Sequence, residues 1–116
     1  MDGTIWCVRG YCAMTSPSEL KAYFLGHLAV AGFQILNTAE HHFSPQGYTR
    51  LELLAESHFA IHTFPENNTT YFELSSCVKQ KFDEFVAMLR SDQAQCRVVA
   101  VSVTQPPVWL TPCASC

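Results

Sequence analysis

Along this chain apolar and polar residues first alternate, then recur at helical spacing, then alternate again. From Thr4 to Met14, Ile5, Trp6, Val8 and Tyr11 supply β-forming side chains, which predicts a first strand. Ser16-Pro17-Ser18-Glu19 reads as a helix start, with Ser16 as the cap, Pro17 at the first helical position and Glu19 completing a capping box. Leu20, Tyr23, Phe24, His27, Leu28 and Ala31 then mark one apolar face, and Gly32 is a natural stop. Phe33 to Asn37 reads as a short strand. The polar run Thr38 to Gly47, with Pro45-Gln46-Gly47 inside it, predicts a loop.

Tyr48 to Ala55 and Ser57 to Phe64 alternate again and predict two more strands. Pro65 to Thr70 is a turn in which Asn67-Asn68 tolerates left-handed geometry, and Tyr71 to Ser76 is a further strand. Phe82, Phe85, Val86 and Leu89 define a second amphipathic helix from Val78 to Arg90. Arg97 to Thr104 is the last strand, stopped by Pro106-Pro107. The order β-α-β-β-β-β-α-β predicts an α+β fold: a two-layer α/β sandwich, its sheet mainly antiparallel, with two helices on one face.

Length changes this picture little. With 116 residues the chain suits one domain, taken as 1–105, followed by a tail, 106–116. A hydrophobic content of 48% against 15% charged is rich for so small a core, which points to a homodimer covering the surplus. The net charge of -3 and a pI near 5.9 offer no basis for binding nucleic acid. No apolar run has the length to cross a bilayer, and MDGTIWCVRG does not read as a signal peptide, so a cytoplasmic protein with no membrane partner is expected. Six cysteines would suit a disulfide scaffold only in an exported chain. Cys113 and Cys116 make a lone CxxC, half of a zinc site, and Cys7 with Cys12 has the wrong spacing to complete it, so no metal is expected. Cys12 and Cys96 read as small core residues.

The stretch Leu54 to Cys77, LAESHFAIHTFPENNTTYFELSSC, concentrates titratable and nucleophilic groups on consecutive strands. Ser57, His58, His62, Glu66 and Cys77 supply a hydroxyl, two imidazoles, a carboxylate and a thiol. Taken singly, each has an ordinary explanation as a strand-end hydroxyl, a hydrogen-bonded strand histidine, a solvated turn residue or a small core thiol. Strand alternation adds a constraint: His58 and His62 share a face, whereas Ser57 and His62, five apart, point to opposite faces unless a bulge or a free end intervenes.

The string ESHFAIHTFPE, with Cys77 on the next strand, resembles the self-cleaving site of the short prokaryotic S-adenosylmethionine decarboxylases. The resemblance is densest from His41 to Cys77 and holds at the level of element order from Ile5 to Thr104. It implies cleavage between Glu56 and Ser57, with the Ser57 hydroxyl attacking the preceding carbonyl and Ser57 ending as a pyruvoyl group. His62 would be the base for processing and Thr49 would stand where relatives carry a serine that assists it. Cys77 would protonate the product carbon, Phe43 and Phe64 would sandwich an adenine ring, and Glu66 would meet ribose hydroxyls or a substrate cation.

The implied function is decarboxylation of a small-molecule substrate, S-adenosylmethionine, with the pyruvoyl group as electron sink, in the supply of aminopropyl groups for polyamines. The chain departs from the family pattern where substrate is recognised. Phe64 stands for the usual Trp, the first strand lacks the usual His and acidic residue and has Arg9 near the acidic position, and Asn67-Asn68-Thr69 replaces Tyr-Gly-Tyr. An ornithine or arginine decarboxylase using the same pyruvoyl group is therefore the alternative. A non-catalytic binder and a cysteine-based redox or zinc protein are the readings from other classes.

Overall fold

A computed structural model describes residues 2–108; Met1 and residues 109–116, Cys113 and Cys116 among them, lie outside the described part. The elements run β1 (Ile5–Cys12), α1 (Pro17–Val30), β2 (Ile35–His42), β3 (Tyr48–Leu54), β4 (Ser57–Phe64), a single 3-10 turn (Pro65–Asn67), β5 (Thr69–Ser76), α2 (Lys79–Ser91) and β6 (Cys96–Thr104). The six strands form one sheet in the order β2-β3-β4-β5-β1-β6, and every neighbouring pair is antiparallel. Both helices pack on one face, giving the two-layer α+β sandwich that the alternating patterns imply.

Alternation decides which side chains enter the core. Val8, Phe59, Ile61, Phe72 and Leu74 point to the helix side and are buried. They meet Leu20, Phe24 and Leu28 of α1, and Phe82, Phe85, Val86 and Leu89 of α2. Phe24 lies 5.0 Å from Phe59 and 5.3 Å from Phe72, and Phe59 lies 5.8 Å from Phe85, so four rings join both helices to the middle of the sheet. Gly10 is required where β1 meets an irregularity in β6. A Cβ there would stand 2.2 Å from the Arg97 carbonyl oxygen and 2.8 Å from the Phe72 ring.

The structure corrects three local expectations. The polar run from Thr38 is not a loop as far as Gly47. Residues through His42 continue β2, because their backbone groups pair with β3 from Leu54 to Tyr48. All eight residues of β2 are exposed, so neither burial nor alternation marks the strand in the sequence. Ser16 precedes α1 and Pro17 begins it, yet the serine side chain makes no capping bond and instead lies 3.1 Å from the Ser18 hydroxyl. β5 begins at Thr69, since Asn68 alone absorbs the left-handed step with φ 51°.

Candidate active site

The β3–β4 hairpin turns through two residues, Ala55 and Glu56, between the paired Leu54 and Ser57. Glu56 sits in the left-handed region with φ 63°, a conformation that costs a non-glycine residue on the order of 1 kcal/mol. The bond after it, Glu56–Ser57, therefore follows a strained residue at the start of β4.

Ser76 at the end of β5 and Cys77 just after it hold groups on the two sides of that bond. The Ser57 hydroxyl, on the helix side and 9% exposed, donates to Ser76 Oγ at 2.7 Å. Ser76 is itself 1% exposed and accepts the Val78 N–H at 3.0 Å, which anchors the pair to the start of α2. The Cys77 thiol donates to the Glu56 carbonyl oxygen at 2.7 Å. The carbonyl that Ser57 would attack is thus already hydrogen-bonded to a donor, and the attacking hydroxyl is already held. These groups border a surface cavity of about 360 Å³, which His58 and Ser75 also line. Sequence reasoning missed Ser76, whose only sequence signal was its place beside Cys77.

The other candidates gather at the far end of the sheet. Thr49 and His62 are direct register partners, with Thr49 Oγ1 at 2.9 Å from His62 Nδ1. His62 lies on the sheet face opposite α1 and α2, and its ring stacks 6.2 Å from Tyr71. β4 is regular from Ser57 to Phe64, with no bulge in its pairing to β3 or β5, so His62 and Ser57 face opposite ways. Five residues of strand, about 16 Å, separate them along β4. Phe64 ends β4 and Phe43 follows β2, respectively 41% and 51% exposed. Glu66 on the 3-10 turn accepts a hydrogen bond from Gln46 at 3.1 Å, tying the β2–β3 loop to the β4–β5 turn. Within one chain the structure brings together Glu56, Ser57 and Cys77, and separately Phe43, Thr49, His62, Phe64 and Glu66.

The family description "S-adenosylmethionine decarboxylase" matches residues 11–104. The chain belongs to this family. It is 42% identical over 66 residues to an S-adenosylmethionine decarboxylase proenzyme of Prochlorococcus marinus (strain MIT 9211), covering 57% of this chain and 54% of that protein. It is 40% identical over 60 residues to a proenzyme 2 of Bacillus anthracis, covering 47% of this chain and 49% of the relative. The chain thus spans about half the length of the curated relatives it matches. The adenosylmethionine decarboxylase of Aquifex aeolicus VF5 superposes with a TM-score of 0.69 over 91% of this chain and 92% of that one, at 17% identity, so it shares the fold.

Proposed function

We propose that this member of the S-adenosylmethionine decarboxylase family cuts its own Glu56–Ser57 bond and decarboxylates S-adenosylmethionine with the group left at Ser57. The observation that carries the proposal is that the Glu56 carbonyl oxygen accepts from the Cys77 thiol while the hydroxyl of the next residue, Ser57, is held by Ser76. Ser57 Oγ adds to the Glu56 carbonyl carbon while Cys77 donates to its oxygen. The C–N bond breaks, the amine takes a proton, and an ester joins the two residues. Loss of a proton from Cα of Ser57 expels the Glu56 carboxylate, and hydrolysis of the dehydroalanine releases ammonia to leave a pyruvoyl group.

The site suits that group: it forms at a buried strand end, beside a cavity and next to a thiol. Once formed, a pyruvoyl group supplies an electron sink for loss of carbon dioxide. Cys77 then holds, at Sγ, a proton within reach of the same strand end. Phe43 and Phe64 offer flat faces to an adenine ring, and Glu66 offers acceptors to ribose hydroxyls.

A homodimer is part of the proposal. Leu51, Leu53, Phe64 and Tyr11 lie exposed on the face without helices, and the radius of gyration is 16.3 Å. A compact chain of this size would be about 13 Å. A second copy related by a two-fold axis across the strands would bring its His62 and Phe64 toward the Ser57 end of the first. The opposite facing of Ser57 and His62 on the regular β4 supports this pairing, since it keeps them apart within one chain. The four described cysteines are free thiols, which supports a cytoplasmic setting. Among the described residues no helix is long and apolar enough to cross a membrane.

The test is intact mass of the purified protein, followed by release of carbon dioxide from S-adenosylmethionine, ornithine and arginine supplied separately. Two chains that part at 56–57, the second beginning with a ketone, and release from S-adenosylmethionine alone are expected. An intact chain overturns the processing; release only from ornithine or arginine overturns the substrate.

A further inference from the structure

Cys12 and Cys96 face each other across the seam between β1 and β6 and take part in no step above. They are direct register partners, both buried on the helix side, and both free. The Ala13 N–H donates to the Gln95 carbonyl at 3.0 Å, while the Cys96 N–H turns to Asp92 O at 2.9 Å. By the alternation of an antiparallel ladder, Cys12 and Cys96 are then a non-hydrogen-bonded pair, whose Cα atoms stand about 4.5 Å apart. A disulfide spans about 4.4–6.8 Å between Cα atoms, so the backbone is already in place for one. A surface cavity of about 330 Å³, lined by both cysteines with Tyr11, Gln95 and Arg97, lies beside the buried pair.

The two thiols are not equivalent. A hydrogen bond from Cys12 draws the Cys96 thiol below its ordinary range, whereas hydrogen bonding to Cys96 and burial push Cys12 up. Cys96 is therefore the sulfur that reacts first.

We propose that Cys12 and Cys96 are a redox site, closing to a reversible disulfide by exchange with a small-molecule disulfide. Cys96 thiolate attacks that disulfide, and one small thiol leaves with a proton. Cys12 thiolate then attacks the Cys96 sulfur of the mixed disulfide, and the second small thiol leaves. Two protein thiols are oxidised and one small disulfide is reduced to two thiols. Cys12 lies before the Glu56–Ser57 bond and Cys96 after it, so after cleavage the same disulfide is the covalent tie between the two product chains. That last consequence rests on the cleavage reading; the disulfide itself does not.

The experiment uses the full chain and oxidised glutathione as probe, with Ser57→Ala as the uncut control. In Ser57→Ala, intact mass is expected to fall by about 2 Da, with digestion under non-reducing conditions giving the Cys12–Cys96 peptide pair. In the cut protein the two chains are expected to migrate together on a denaturing gel without reductant and to part when reductant is added. Cys12→Ala and Cys96→Ala, each made separately so that one misfolded variant does not decide the matter, should both lose the tie. Stable glutathione adducts on either cysteine without the cross-link, a cross-link joining other cysteines, or no reaction at the pair would each overturn the redox site. Failure of wild type to cut while Ser57→Ala still forms the peptide pair overturns only the tie between chains.

Discussion

The two ends of β4 differ in how they are built. At its start, Ser57 and Ser76 are buried under α2, and each donor there has a partner within one chain. At its far end Phe64 closes β4 exposed, Phe43 and Glu66 sit on the adjoining loop and turn, and His62 and Thr49 lie on the sheet face opposite α1 and α2. Under the proposed function the first end would act on the chain itself, and the second would meet a substrate ring or a second copy. Folding of one chain would then position Ser57, while recognition would wait for assembly.

The largest effect that tests this contrast is at the start of β4. Ser57→Ala should abolish cleavage altogether, leaving one chain by mass, because it removes the hydroxyl that directly follows the Glu56 carbonyl and that Ser76 holds. Cys77→Ala should slow processing about 100-fold in a time course on a denaturing gel, the typical loss when one preorganised donor to a carbonyl oxygen is removed. Processing at the wild-type rate in this variant would mean that the thiol contact is incidental.

Mixing the ends between copies sharpens the comparison further. His62→Ala and Ser57→Ala should each be inactive alone, while co-expression should restore roughly a quarter of wild-type decarboxylation if each site takes one end from each copy of a symmetric dimer. No recovery on mixing would confine both ends to one chain. Phe64→Ala should leave cleavage intact and raise KM about fivefold, as expected when one aromatic stacking contact is lost.

The smallest effect concerns pH. On β2, Glu40 is held below the usual carboxylate range, first by a hydrogen bond from Tyr48 at 2.6 Å and also by Arg50 at 2.7 Å. A carboxyl lowered by folding stabilises the strand at pH above its unfolded value, and that support is lost as pH falls through its folded value. Hydrogen exchange should therefore show β2 loosening in acid while amides beside Ser57 stay protected. Equal loosening at both ends would erase the distinction.

Much of this was legible in the residues. Alternation located the start of β4, and helical spacing named the buried face of α2, because both elements are half-buried and burial imposes a period. β2 was not legible past Asn37: a strand exposed on both faces carries no period, and only its pairing to β3 makes it a strand. The alternation rule placed Ser57 and His62 on opposite faces. It left open a bulge or free end, and the regular ladder on both sides of β4 contains no bulge.

By itself the sequence determined the order of elements, the string that resembles a self-cleaving site and the types of side chain available to it, since each is local or periodic. Tertiary structure alone decided that Ser76 holds the Ser57 hydroxyl, that Cys77 reaches the Glu56 carbonyl, and that Cys12 meets Cys96. Those contacts join residues 19, 21 and 84 positions apart. Register between strands sets them, and register is a property of the whole sheet and its core that no single segment encodes.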